Sequence, residues 1–205
     1  MSAVFKHVRY VRMRGARAAA ASRSDSEPNC AFSMSLQVLY AGCGGGIAVF
    51  HKQPAGPPKL HTIHEVDGGA GAFCVAPNAA HLFAAVSGSI STFAICPHSG
   101  ELTAVGKPSP PFTDGPAYLT TDRAGRFILH ASYGGGSCAV HPIGPGGQVG
   151  AELQHQVCSN SAHSIMTDPT NRFVFTPCIA EANGTGSNSR GRSLAVPFCE
   201  DRGGT

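Results

Sequence analysis

The sequence predicts an all-β protein, a β-propeller of four-stranded antiparallel blades. Three observations lead there: a self-similar period of 45 to 46 residues, two glycine triplets set two periods apart, and a composition suited to short strands and tight turns. The copies are "VAPNAAHLFAAV" (75–86), "TTDRAGRFILHAS" (120–132) and "MTDPTNRFVFTPC" (166–178), aligned on Pro77, Asp122 and Asp168. In each, a short strand enters a turn (Asn78-Ala79-Ala80, Arg123-Ala124-Gly125 or Pro169-Thr170-Asn171). An apolar strand then leaves it, beginning at Leu82, Phe127 or Phe173. Further turns at "AGPPKL" (55–60), "PHSGEL" (97–102) and "PGGQV" (145–149) close the third strand of their copies. Each unit thus holds four short strands, where a β-helix would need shorter coils and a helical solenoid would need helices.

The glycine triplets "AGCGGGIAVFHK" (41–52) and "ASYGGGSCAVHP" (131–142) are read as loops between strands. A phosphate-cradling loop would require a helix immediately afterwards, with its N-terminus facing the phosphate. Each triplet is followed instead by enough residues for one strand and then a proline. No GxxxxGK[ST], GxSxG or HExxH pattern occurs.

Within the 205 residues there are 26 glycines, 15 prolines and no tryptophan, and only 13% of residues are charged. The formal charge of +3 is unevenly spread. Residues 1–24 carry Lys6, Arg9, Arg12, Arg14, Arg17 and Arg23 with no acid, whereas residues 34–189 hold six Lys/Arg against eight Asp/Glu. The body is slightly acidic, which argues against a nucleic-acid partner. No apolar run is long enough for a transmembrane helix, so no membrane partner is expected. The basic, Ala/Ser-rich residues 1–33 are expected to be a disordered or targeting leader, of the makeup of an organellar transit peptide. The eight cysteines are scattered without a CxxC and are read as reduced thiols, several of them buried in strands.

The stretches "GPAYLTTDRAGRFILHASYGGGSCAVHPIGPGGQVG" (115–150) and "AHSIMTDPTNRFVFTPC" (162–178) resemble the lactonase family of seven-bladed β-propellers, which includes 6-phosphogluconolactonases and carboxymuconate-cyclising enzymes. Ser132 stands where the family has Asn. Ser161 stands where the first residue of its His-x-His-Ser segment would be, leaving His163. The resemblance covers residues 34–189, about three and a half of the seven blades it implies. Residues 190–205 are expected to be a disordered tail that does not continue the blade, and the chain to be a partial gene product.

Strand direction assigns the candidate residues to faces. Antiparallel hairpins place the start of a blade's first strand at the same end as the exit of its second. His163, Glu181 and Asn183 are therefore expected beside Tyr133 and Gly134, Gly135 and Gly136. Arg126 and Arg172 are expected at the opposite end, paired with Asp122 and Asp168 or solvated. His163 replaces Ala72 and Ala117 of the other copies, which puts an imidazole near the propeller axis. Each candidate also has a structural reading: a hydrogen-bonded histidine, a solvated Glu181, a Tyr133 packed on its neighbouring blade. His61 and His64, three apart in a strand, are expected on opposite faces.

The resemblance implies hydrolysis of a sugar-acid lactone. In that reading His163 is the base that activates water, with Glu181 orienting it or sharing the role. Amides of Gly134–Gly136 help bind the oxyanion, and Tyr133 and Asn183 line the substrate site. It implies no metal or organic cofactor and a small-molecule lactone as partner. The rival readings are a carboxymuconate-type lactonising enzyme and a non-catalytic propeller fragment or interaction scaffold that self-associates through open blade edges. The expected location is cytoplasmic, or mitochondrial or plastid if residues 1–33 are a transit peptide.

Overall fold

The computed structural model describes residues 8–12, 36–112, 114–158, 161–179 and 192–197. These form four antiparallel sheets, each with its strands in chain order. Blade one holds β1 (Val8–Arg12), β2 (Gln37–Cys43), β3 (Gly46–His51) and β4 (Lys59–Glu65). Blade two holds β5 (Phe73–Val75), β6 (His81–Val86), β7 (Ser89–Ile95) and β8 (Leu102–Val105). β9 (Tyr118–Thr121), β10 (Phe127–Ser132), β11 (Ser137–Pro142) and β12 (Gln154–Val157) make blade three. Blade four is β13 (Met166–Thr167), β14 (Phe173–Cys178) and β15 (Arg192–Pro197). β5 approaches both β1 and β9, so blades one to three are arranged with their first strands side by side.

A blade between two others must be apolar on both faces, and the period-two alternation of a strand delivers this. In β10, Phe127, Leu129 and Ala131 pack with Ile165, Val174 and Cys178 of blade four. Ile128 between them packs with Phe83 and Ala85 of blade two. Blades one and two share a third core, built on Val38, Tyr40, Ile47, Phe73, Leu82 and Phe93. Burying a side chain of this size contributes about 1.5–3 kcal/mol, so the inter-blade cores hold the array together. Each core carries a polar tie as well. Tyr40 Oη donates to Gly100 O at 2.7 Å, and Thr92 Oγ1 donates to Gly147 O at 2.9 Å. Between blades three and four, Asn171 Oδ1 accepts from Arg123 N at 3.1 Å.

Three details differ from expectation. Within the leader, Val8–Arg12 pairs with Gln37–Ala41 as the first strand of blade one. Its "VRYVR" is rich in β-branched and aromatic residues, a strand-forming feature masked by the surrounding Arg and Ala. Beyond Ser189, Arg192–Pro197 pairs residue for residue with Phe173–Cys178 and so continues blade four. Finally, a bulge opposite Val49/Phe50 inserts an extra residue into β4 at His61. The bulge cancels the expected alternation. His61 bonds Glu101 Oε1 at 3.0 Å, and His64 meets the Phe93 ring at 4.9 Å, so both face blade two.

Both glycine triplets lie where a second strand turns into a third. Gly44 and Gly45 form the β2–β3 turn, and residues 133–136 the β10–β11 turn. Gly46 has φ +149°, and a Cβ there would collide with the His64 carbonyl, so this position requires glycine.

Candidate active site

The antiparallel strand order brings three elements to one end of the molecule: the β10–β11 turn, the segment leading into β9, and the segment leading into β13. His163 N donates to Pro177 O at 3.0 Å, the counterpart of Ala117 N to Ala131 O at 2.8 Å one blade earlier. His163 thus occupies the position that Ala117 holds in blade three. Its exposed ring meets Tyr133, 45% exposed, edge to face with centroids 5.6 Å apart. This is the juxtaposition expected from the strand directions. Two residues before it, Ser161 is buried at φ +66°, a conformation uncommon for a non-glycine residue, and its carbonyl accepts from Ile179 N at 3.0 Å.

Gly134 and Gly135 are exposed beside Tyr133, and Gly136 is buried beneath them. The Gly135 amide donates to Ser132 Oγ at 3.1 Å, so it is committed to the turn. Gly136 O accepts from Cys158 N at 2.7 Å, which ties the turn to the end of β12. The Cys158 Sγ lies 3.6 Å from Cys138 Sγ at the interface of blades three and four. Burial, with the thiols of Cys138 and Cys178 alongside, pushes the Cys158 thiol well above its usual range. Glu181 and Asn183 lie outside the described residues.

One carboxylate at this end escaped the sequence reading. Asp114, in the segment before β9, folds against Gly135 so closely that a Cβ at 135 would fall on its carboxyl group. The signal was available, because Asp114 precedes Ala117 and the same strand-direction argument places it with Gly134–Gly136. Its segment is anchored by Phe112, whose amide donates to Gly88 O at 2.8 Å. The Phe112 ring packs on His130 and His141 at 4.8 and 5.0 Å. Those two histidines are each 2% exposed, and His141 Nε2 and His130 Nδ1 share a hydrogen bond of 3.2 Å. Burial pushes the His130 imidazole down to about 3, reinforced by His141 and His155, and burial lowers His141 as well. Both rings are therefore neutral, packed parts of the interface between blades two and three.

The opposite end is built from the turns between first and second strands. Asp122 Oδ1 accepts from Arg126 N at 2.6 Å and Phe127 N at 2.9 Å, and Oδ2 from Ala124 N at 3.2 Å and Asn171 Nδ2 at 3.0 Å. Asp168 makes the same turn in blade four, accepting from Arg172 N and Phe173 N, both at 2.8 Å. Backbone amides, rather than the expected guanidinium pairing alone, thus occupy the turn carboxylates. The Arg126 and Arg172 guanidinium carbons lie 5.6 and 5.8 Å from the Phe127 and Phe173 ring centroids. Among the described residues no group of three His, Cys, Asp or Glu side chains is placed to hold a metal ion, and no helix is long and apolar enough to cross a membrane.

Comparison with known proteins supplies the wider context. The 6-phosphogluconolactonase of Pectobacterium carotovorum subsp. carotovorum (strain PC1) is 37% identical over 123 residues, 60% of this chain and 36% of the relative. The 6-phosphogluconolactonase of Yersinia pestis (strain Pestoides F) is 32% identical over 136 residues, 66% of this chain and 40% of the relative. The chain therefore spans about two fifths of the length of these curated relatives. Among solved structures, the periplasmic gluconolactonase PpgL of Pseudomonas aeruginosa superposes with a TM-score of 0.54 at 25% identity, covering 60% of this chain and 38% of its own. A Lactobacillus plantarum protein superposes with a TM-score of 0.60 at 17% identity, covering 70% and 45%. The family model for the seven-bladed β-propeller lactonases matches residues 39–181, and the chain belongs to that family.

Proposed function

We propose that this chain contributes to hydrolysis of a sugar-acid lactone of the 6-phosphogluconolactone kind, at the end of the propeller that carries Tyr133 and His163. The observation that carries the reading is the edge-to-face contact of these two exposed rings at 5.6 Å, beside the glycine turn and Asp114. His163 acts as the general base: its imidazole removes a proton from water as the oxygen attacks the lactone carbonyl. The tetrahedral oxyanion is met by amides of the turn, those of Gly134 and Gly136, since that of Gly135 is engaged by Ser132. Collapse breaks the bond to the ring oxygen, which takes up the proton from the imidazolium. Tyr133 shapes the wall on which the sugar ring lies. Asp114 holds the turn and supplies a carboxylate to orient the imidazole, a role shared with Glu181; Asn183 binds substrate. The cytoplasm, where thiols such as Cys158 stay reduced, is the proposed compartment.

The test is hydrolysis of 6-phosphogluconolactone, followed by proton release, in the full chain and in His163→Ala. A loss of about 10²- to 10⁴-fold with unchanged folding is expected for removal of a general base. Activity equal to that of the parent chain in a folded His163→Ala variant would sink the assignment.

A second reading, self-association, has an observation of its own. Phe173, Phe175 and Ile179 lie on the one face of blade four that no described blade covers, 39%, 41% and 48% exposed. Such a face favours a second apolar surface. Sedimentation of the full chain would give a dimer mass if the reading holds, and a monomer at all concentrations if it does not.

A further inference from the structure

We propose that Cys138 and Cys158 form an oxidisable pair, which a low-molecular-weight disulfide converts to a disulfide bond that clamps the glycine turn to the end of β12.

The two thiols are already in contact. Cys158 Sγ lies 3.6 Å from Cys138 Sγ, and a disulfide brings two sulfurs to about 2.05 Å. Strand register explains the contact. In the β11–β12 ladder Cys138 stands opposite Gln156, and the Cys158 amide continues the ladder by donating to Gly136 O at 2.7 Å. The two cysteines are therefore diagonal neighbours on one face, the face that packs on Ile165, Val174 and Cys178 of blade four. Diagonal neighbours start with Cα atoms about 7–8 Å apart, beyond the usual disulfide span, so the backbone must give by about 1 Å. It can give at Cys158, which follows Val157, the last residue of β12.

Access sets the order of events. Cys158 is half-buried, whereas Cys138 is 4% exposed and Cys178 5%, so an oxidant in solution meets Cys158 first. Having lost its proton to water, the Cys158 sulfur attacks one sulfur of the small disulfide, whose S–S bond breaks to release a first small thiol. The Cys138 sulfur, deprotonated in turn, attacks Cys158 Sγ and expels the second small thiol. Two protein thiols are oxidised as one small disulfide is reduced to two thiols. Burial, with Cys138 and Cys178 alongside, holds the Cys158 thiol above its usual range, so its thiolate is scarce at neutral pH. The pair therefore stays reduced through brief exposure and closes under lasting oxidation. Closure reaches the candidate end through the backbone. The movement that joins the sulfurs displaces the Cys158 amide, whose acceptor is the carbonyl of Gly136 in the β10–β11 turn.

The experiment is prolonged incubation of the full chain with oxidised glutathione at mildly alkaline pH. Remaining thiols are then blocked with iodoacetamide. Trypsin and a glutamate-specific protease cut after Arg126, Glu152 and Arg172 and so separate the two cysteines. Mass spectrometry is expected to find peptide 127–152 joined to peptide 153–172, with the link lost on adding dithiothreitol. In ¹⁵N spectra the amide signals of residues 134–136 are expected to move on closure and to return on reduction. Cys158→Ser, at the half-buried position, should abolish both the link and the shifts, and it keeps the test usable if Cys138→Ser fails to fold. Cys158 recovered as a free thiol, as a glutathione adduct or joined to Cys178 would overturn the pairing. A link that leaves the signals of 134–136 in place would overturn the clamp. Neither readout involves lactone hydrolysis, so failure here is distinct from failure of that reading.

Discussion

The two ends of the blades use their polar groups in opposite ways. Where first strands turn into second strands, the carboxylates of Asp122 and Asp168 are bound by the amides of their own turns, and Asn171 stitches one turn to the next. Where second strands turn into third strands, the aromatic groups stand exposed: Tyr133 and His163 touch edge to face above a glycine loop. Polar atoms already saturated by backbone donors stabilise a fold and have little left for a substrate. Those left exposed at the strand ends retain their chemistry. Position along the strand, more than residue type, thus separates scaffold from candidate site.

The strongest way to break this contrast is to remove Asp122. Asp122→Ala strands the buried amide of Phe127, that of Arg126 and the Asn171 NH₂ group, and a loss of about 3–5 kcal/mol is expected. His163→Ala at the other end removes an exposed ring, and a stability change within about 0.5 kcal/mol is expected. Urea unfolding of both variants gives the comparison directly. A destabilised His163→Ala beside an unperturbed Asp122→Ala would reverse the roles assigned to the two ends.

Much of this was legible in the sequence, because blade repeats put equivalent turns at equal spacing. The Pro77, Asp122 and Asp168 alignment fixed the strand ends, and from them the meeting of Tyr133 and His163. What escaped was whatever depends on side chains meeting across neighbouring strands and loops. Strand direction places Asp114 with Gly134–Gly136, but nothing in the sequence marks it as the carboxylate that covers Gly135, or His130 and His141 as partners across β10 and β11. A one-residue bulge in β4 was enough to move His61 to the face of His64. Val8–Arg12 was hidden by composition: its arginines match those of the basic leader, and the 24 residues between it and Gln37 conceal the hairpin partner.

A smaller effect sharpens the candidate end. Gly135→Ala places a methyl group on the Asp114 carboxylate, and the segment before β9 must move away. A cost of about 1–3 kcal/mol is expected, as for other overpacked contacts. If Asp114 orients His163, lactone hydrolysis falls further than stability does. Equal stability and activity in the parent chain and Gly135→Ala would show that the Asp114 contact matters to neither.

The histidines behind Asp114 offer a test by pH. Unfolded, His130 takes up a proton near its ordinary value of 6.5; folded, burial holds it down to about 3. Between those values the unfolded state binds the extra proton, so this contribution to stability is complete above 6.5 and is lost as pH falls. The expected slope is about 1.4 kcal/mol per pH unit, with His141 adding in the same direction. His130→Phe should reduce the slope between pH 6 and 4 in urea titrations, and an unchanged slope would mean that the ring is protonated in the fold.

The finest comparison lies within the scaffold end, between Asp122 and its copy Asp168. Both accept from the amides four and five residues on, yet Asp122 is fully buried under blade four while Asp168 is partly exposed. Bonds from the Thr170 hydroxyl, then from the Phe173, Thr170 and Arg172 amides, hold the Asp168 carboxyl well below its ordinary value of 3.8. Its contribution is therefore present at neutral pH and lost only as pH drops below 3.8, below most of the histidine window. Asp168→Ala should destabilise the chain clearly less than Asp122→Ala, because water replaces the lost acceptor where the turn is open. Equal losses in the two variants would mean that Asp168 is covered in solution as thoroughly as Asp122, and the apolar face of Phe173 and Phe175 beside it would be covered with it.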